Sequence, residues 1–296
     1  MTKLTRRDLL KNTAFAAGAM AFSASPAAAA AKRSATDWVT LGNSGVKVTR
    51  LAFGTGTYGG RVQRELGQEQ FTRLVRHAYD RGIRFFESAD AYGEMHEMLA
   101  IALKGIPRDS YKLMTKFRLK EAADPHGTID RYRRELNSEY FDILLLHGLR
   151  TANWPSEYER LRDEISEAKQ KKVILAHGAS CHGLLPLRTF PGNHWLDVAL
   201  LRVNHNGTRM DVLQGDSDQP GEVKEVVSHI SEIHKQGTGV IGMKLIGEGR
   251  FSTLEQRDAS LKFVMNLGTV DAITIGYKSP AEIDEAIERI NRHLNA

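Results

Sequence analysis

From residue 50 to the C-terminus, eight short apolar runs alternate with longer amphipathic stretches, and this rhythm constrains the fold more than any other feature. The runs cover 50–54, 84–88, 112–116, 141–147, 173–178, 198–204, 239–244 and 272–276. Amphipathic stretches follow them at 65–82, 94–105, 125–139, 156–171, 182–189, 221–236, 253–268 and 280–294. Eight strand-then-helix units with no change of composition predict an α/β fold, a (β/α)8 TIM barrel. Pro125 and Pro280 sit where a first helical turn tolerates a missing N–H. Gly82, Gly105, Gly237 and Gly268 fall just past predicted helices, where a left-handed cap avoids a Cβ.

Three of the runs end in ionisable residues. The first of these is Phe85-Phe86-Glu87-Ser88-Ala89-Asp90-Ala91-Tyr92-Gly93, followed by Leu113-Met114-Thr115-Lys116 and Ile143-Leu144-Leu145-Leu146-His147. Barrel strands deliver their C-terminal ends to one rim, so Glu87, Tyr92, Lys116 and His147 are expected to share a pocket. Carbonyl reduction needs hydride at carbon and a proton at oxygen. A free phenol is a weak acid at neutral pH, and a neighbouring ammonium is expected to lower its pKa. On this reading Tyr92 is the general acid, Lys116 tunes it, and Glu87 holds Lys116. His147 orients the carbonyl and stabilises developing negative charge.

The same residues resemble the aldo-keto reductase family, which carries Asp-Thr-Ala-x-x-Tyr-Gly, Thr-Lys and a His at three successive strand ends. Here those places hold Glu87-Ser88-Ala89-x-x-Tyr92-Gly93, Thr115-Lys116 and His147. The opening run from Leu41 to Leu51 and the late run Ile275-Gly276-Tyr277-Lys278-Ser279-Pro280 extend the similarity over nearly the whole chain after residue 37. The resemblance implies an oxidoreductase using NADPH or NADH on a small-molecule aldehyde or ketone. It places cofactor contacts at Gly54, Thr55, Gly56, Ser180, Cys181, Met243, Lys244, Lys278, Ser279 and Glu282. Three of these places, and one of the catalytic ones, depart from the family pattern. Glu87 stands for Asp, Cys181 for Asn and Met243 for a stacking Tyr. Glu282 stands for the Arg that binds the 2′-phosphate of NADP, which argues against a preference for NADP. Lys244 and Lys278 could compensate. Trp154 and Trp195 are candidates for the substrate pocket wall.

Competing readings are open at this stage. Gly54-Thr55-Gly56-Thr57-Tyr58-Gly59 matches the G-x-G-x-x-G dinucleotide fingerprint directly after a strand. Further glycines delay the following helix, and Glu87 lies beyond the usual ~20 residues for the ribose-binding acid. His147, His177, His182 and His205, with Glu87, could instead form the metal site of a barrel isomerase or hydrolase. A non-catalytic exported binding protein is a third possibility.

The N-terminal segment reads Thr5-Arg6-Arg7-Asp8-Leu9-Leu10-Lys11, then a short apolar stretch and the alanine run Ala27 to Ala31. This is the pattern of a twin-arginine signal peptide over residues 1–31, with a linker at 32–37 and the barrel at 38–296. It implies the twin-arginine export machinery as a partner and a periplasmic location. Its apolar core is too short for stable membrane insertion. Free NAD(P)H is not expected there, so the cofactor would be carried tightly bound or the protein retained in the cytoplasm. The leader holds Lys3, Arg6, Arg7 and Lys11 against Asp8, so most of the chain's net charge of +5 belongs to it. No basic stripe suggests nucleic acid. The single cysteine, Cys181, excludes an intrachain disulfide.

Overall fold

The computed structural model describes residues 32–213 and 219–296. The leader lies outside the described residues. Residues 33–37 are tied to the domain: Arg33 N–H donates to Asn295 Oδ1 at 2.9 Å and Ala35 N–H to Asn291 Oδ1 at 2.7 Å.

A hairpin of β1 (Trp38–Thr40) and β2 (Lys47–Thr49) comes first. The apolar rhythm does not mark these strands, because each is only three residues long. The eight barrel strands follow as β3 (Leu51–Gly54), β4 (Phe85–Glu87), β5 (Lys112–Phe117), β6 (Phe141–Leu149), β7 (Ile174–Cys181), β8 (Val198–Arg202), β9 (Gly239–Met243) and β10 (Ala272–Gly276). They are parallel and close in the order β10-β3-β4-β5-β6-β7-β8-β9. Ten helices accompany them among the described residues: α1 (Arg61–Arg64), α2 (Gly67–Asp80), α3 (Met95–Leu103), α4 (Pro125–Glu135), α5 (Trp154–Glu157), α6 (Glu159–Gln170), α7 (Leu184–Leu187), α8 (Val223–Lys235), α9 (Leu254–Asn266) and α10 (Pro280–Leu294). The predicted helix at 182–189 is a single turn, Leu184–Leu187, entered from Gly183 at φ 118°.

Two cores result from the period-two alternation of the strands. Ala52, Phe85, Met114, Ile143, Leu145, Ala176, Val198, Leu200, Ile241 and Ala272 point into the barrel and pack with Leu41, Val46 and Val48 of the hairpin region. The hairpin thereby stoppers the N-terminal end of the barrel. The out-of-phase residues, among them Phe53, Phe86, Leu113, Leu144 and Ile273, meet the surrounding helices. Since the interior is filled from below, an open cavity is left to the opposite rim. Continuing the inward phase from Phe85, Met114 and Ile143 by one or two steps reaches Glu87, Lys116 and His147.

The glycine-rich stretch after β3 does not build a strand-to-helix phosphate turn. Tyr58, Gly59 and Gly60 are all left-handed, at φ 49°, 65° and 83°, and only the one-turn α1 follows. The loop instead curls over the rim beside Tyr92.

Candidate active site

Lys116 and Glu87 are 1% and 4% exposed, so the barrel interior holds a charge pair away from water. The Lys116 ammonium donates to Glu87 Oε1, to the Ser88 carbonyl at 2.9 Å and to the Tyr92 hydroxyl at 3.0 Å. All three donors of the ammonium are thus used. The longer Glu87 side chain is accommodated by Gly54, where a Cβ would press on Thr274 Oγ1 at 2.6 Å and Glu87 Oε2 at 3.1 Å. Thr274 donates to that same Oε2 at 3.2 Å. Glutamate at this place therefore still reaches Lys116.

Tyr92 lies on a short 3-10 turn after β4. Arg131 Nη1 donates to Asp90 Oδ1 at 2.9 Å and Arg64 Nη1 to the Tyr92 carbonyl at 2.7 Å, which fix both ends of that turn. Gly56 lets backbone pass against the phenol, since a Cβ there would meet the Tyr92 hydroxyl at 2.5 Å. The His147 ring stands edge-on to the Tyr92 ring, with centroids 5.6 Å apart and planes at 87°.

The electrostatics differ from the sequence expectation in one respect. Burial, the largest influence, pushes the Tyr92 phenol above the ordinary tyrosine pKa; Lys116 pulls the other way without winning. The physical reason is that burial strips the phenolate of its hydration, and the nearby Glu87 carboxylate disfavours it further. Burial also disfavours the Lys116 ammonium, but Glu87 and Tyr92 outweigh it and hold its pKa above the ordinary lysine value. His147 is held well below the ordinary histidine value, by burial first and then by Lys116, His182, Arg118 and Lys244. The site at neutral pH is thus a protonated phenol, a fixed ammonium and a neutral imidazole.

Beside this cluster opens a cavity of about 580 Å³, within the usual range for small-molecule and cofactor sites. It starts at Glu87, Tyr92 and Lys116, passes Gly54, Gly56, Leu200 and Met243, and reaches Arg257 on α9 and Glu282 and Glu285 on α10. A ligand with a reactive ring at one end and a polar group at the other suits this length and lining.

Of the expected cofactor contacts, Gly54, Gly56, Met243, Lys244, Lys278 and Glu282 line the cavity. Four do not. Thr55 is buried and donates to the Glu87 carbonyl at 3.0 Å. Ser180 accepts from Gly148 N–H at 2.9 Å, so its hydroxyl serves the β6 backbone. Cys181 is fully buried, with its thiol pKa pushed well up by burial. Ser279 caps α10, accepting from Glu282 N–H at 3.4 Å. Trp154 is fully buried against Phe190 and Trp195, not in the cavity wall.

The metal-site alternative is corrected. Among the described residues, no three His, Cys, Asp or Glu side chains gather so as to hold a metal ion. His177 follows the inward-facing Ala176 and so turns to the helices, where it stacks on Trp195 at 4.4 Å. His205 packs on Phe251, ring centroids 5.1 Å apart.

Three cavity-lining residues, Glu248, Arg257 and Glu285, lie outside the sequence expectations. Lys244 donates to Glu248, and Arg209 Nε donates to the other oxygen of Glu248 at 2.9 Å. Both Lys244 and Glu248 are left-handed, at φ 61° and 56°, an unusual state for residues with a Cβ. Arg257 clasps Glu285 with two hydrogen bonds, of 2.7 and 3.0 Å. Arg257 and Glu285 sit on different helices, so their spacing in the chain reveals nothing. The Gly247-Glu248-Gly249 run was the available sign of a loop at Glu248.

Comparison with known proteins bears on the family and the fold. The aldo/keto reductase family profile matches residues 50–295. The "Probable aldo-keto reductase 1" of Glycine max is 30% identical over 159 residues, covering 48% of this chain and 45% of that protein. The chain therefore matches about half the length of this curated relative. The holo form of an aldo-keto reductase from Bacillus halodurans superposes with a TM-score of 0.68 at 17% identity, over 87% of this chain and 95% of the other. A Bombyx mori aldo-keto reductase in complex with NADP gives a TM-score of 0.61 at 14% identity, over 86% and 91%. At such identities these two structures speak for the shared fold. With a profile match over nearly the whole barrel, and Tyr92, Lys116, Glu87 and His147 gathered at its rim, the chain belongs to the aldo/keto reductase family of oxidoreductases.

Proposed function

We propose that this protein reduces a carbonyl compound to an alcohol with NAD(P)H, using Tyr92 as the proton donor. The observation that carries this reading is the 3.0 Å hydrogen bond from Lys116 to the Tyr92 hydroxyl, at the inner end of the cavity. A bound nicotinamide would supply hydride. Gly54, Gly56 and Met243 offer it a close backbone and a soft apolar face. As negative charge develops on the substrate oxygen, Tyr92 gives up its proton. An alkoxide is far more basic than a phenolate, so a raised phenol pKa does not obstruct this step. The phenolate left behind faces the Lys116 ammonium. A neutral His147 keeps one N–H that can point to the carbonyl oxygen.

The charge states set the pH profile. Reduction needs Tyr92 protonated, and its pKa is raised, so this form persists until alkaline pH. His147 is already neutral, because its pKa is lowered. For reduction of 4-nitrobenzaldehyde, kcat/KM is expected to stay level from about pH 6 to about pH 9 and to fall only beyond it. A transition centred near the ordinary histidine pKa would contradict the assigned state of His147.

The substrate is a small carbonyl compound that reaches the rim beside Tyr92. We also propose export by the twin-arginine route to the periplasm, with cofactor bound before translocation. Support comes from Arg6-Arg7 and the following apolar and alanine-rich stretch. Among the described residues no helix is long and apolar enough to cross a membrane. Replacing Arg6 and Arg7 by lysine is expected to move the protein from the periplasmic to the cytoplasmic fraction of a bacterial host. Unchanged fractionation would remove the export reading.

A further inference from the structure

Strand β5 carries one more inward position than the catalytic cluster uses. Met114 packs in the barrel interior, and Lys116 bonds Glu87 and Tyr92 there. Leu113 and Phe117, in the opposite phase, meet the helices. Arg118 comes next. Its backbone is still extended, at φ −76° and ψ 114°, and its N–H donates to the Tyr132 hydroxyl of α4 at 3.3 Å. Strand phase therefore persists to Arg118 and sets it on the face that carries Lys116. Two residues of strand put its Cα about 7 Å nearer the barrel mouth.

The carboxylates around Arg118 are committed elsewhere. Glu87 holds Lys116, and Asp90 Oδ1 accepts from Arg131 at 2.9 Å. Glu121, the nearest carboxylate along the chain, lies 4.0 Å from Lys120. The Arg118 guanidinium itself makes no hydrogen bond or ion pair among the described residues, although the residue is half-buried. Lys244 and Arg257, deeper along the cavity, are by contrast held by Glu248 and Glu285. The Arg118 charge is also one of those that keep His147 neutral, which puts the guanidinium within electrostatic reach of that ring. Its planar donor fork is thus available to a ligand beside the reacting carbonyl.

The inference rests on the proposed reductase reading, which puts the carbonyl oxygen between Tyr92 and His147. We propose that the substrate is an oxo acid, a carbonyl compound whose own carboxylate is gripped by Arg118. Arginine matches a carboxylate with two parallel N–H donors, which fixes orientation as well as charge. Side chains two residues apart on one strand face keep an offset of about 7 Å, so a spacer of several bonds or one ring fits between carbonyl and carboxylate. The carboxylate takes no part in the transfer. Hydride goes to the carbonyl carbon and the Tyr92 proton to its oxygen. Arg118 is in this account a specificity-determining residue, acting on substrate binding.

The test compares 4-carboxybenzaldehyde with methyl 4-formylbenzoate, which share ring and aldehyde and differ in charge. Steady-state reduction by the purified full chain is followed with saturating NADH and, separately, NADPH. The wild type is expected to show a kcat/KM for the acid at least about tenfold above that for the ester, the difference lying in KM. Arg118→Met should lower this acid-to-ester ratio by about tenfold or more, through KM of the acid rather than kcat. Arg118→Lys, which keeps the charge and loses the fork, should retain part of it. Circular dichroism checks that both variants are folded, and the wild-type comparison decides the question even if one is not. Turnover of the ester as efficient as that of the acid, or an acid-to-ester ratio unmoved by Arg118→Met, would overturn the inference and leave the reductase reading intact. Turnover of neither compound would remove both.

Discussion

Tyr92→Phe is expected to lower kcat for aldehyde reduction by about 10²- to 10⁴-fold, the span typical for loss of a positioned general acid. This corresponds to about 3–5 kcal/mol of transition-state stabilisation. The substitution removes one oxygen whose hydrogen-bond partner is Lys116, and leaves the ring against His147 in place. NADH or NADPH affinity is therefore expected to change by no more than about threefold, and KM for the aldehyde only modestly. Single-turnover absorbance at the nicotinamide band, alongside cofactor titration, separates the chemical step from binding. A variant retaining a tenth or more of the wild-type kcat would show that the proton comes from elsewhere, and the assignment of Tyr92 would fall. A wild type with no turnover on any carbonyl compound would favour a binding protein.

Lys116→Met is expected to damage both activity and stability, because the ammonium satisfies Glu87 inside the barrel. Removing one partner of a buried ion pair typically costs about 3–5 kcal/mol, since the remaining charge is left unpaired. In a domain of this size that lowers Tm by roughly 6–15 °C. Thr274 still donates to Glu87 Oε2, and protonation of the carboxylate relieves part of the cost. The double variant Lys116→Met/Glu87→Gln is therefore expected to recover much of the lost Tm while remaining inactive. Such non-additivity is the signature of direct coupling. A single variant that melts with the wild type, or a double variant no more stable than Lys116→Met alone, would mean that the pair carries little of the barrel's stability.

The site was legible where it lies at strand ends. Glu87, Lys116 and His147 are each one step beyond apolar runs of obvious β character, and strand phase alone sends all three inward. The strand assignments in turn agree with the structure to within about three residues. The largest differences are at the rim, where β7 continues to Cys181 and pairs with Leu149 of β6. Rim extensions depend on a neighbouring strand, which an isolated segment does not report. The glycine run 54–60 shows the converse problem. Its spacing matches a dinucleotide fingerprint, but its backbone makes left-handed turns over Tyr92 instead.

Ser180 and Cys181 illustrate a second limit. A family resemblance transfers a position along the chain, not the direction of a hydroxyl. Ser180 Oγ is turned to the β6 backbone by the hydrogen bond from Gly148. The pKa of Tyr92 shows a third. A tyrosine near a lysine suggests a lowered pKa, and burial together with the partner carboxylate reverses the sign.

The sequence by itself determined the barrel, its eight strands and the meeting of Glu87, Tyr92, Lys116 and His147 at one rim. Alternation along a strand and the strand-helix rhythm are local properties, and they suffice for that. Only the tertiary structure decided how the cations of the cavity are paired. Arg257 with Glu285 and Lys244 with Arg209 through Glu248 are contacts between separate elements, and Coulomb attraction depends on distance in space rather than along the chain.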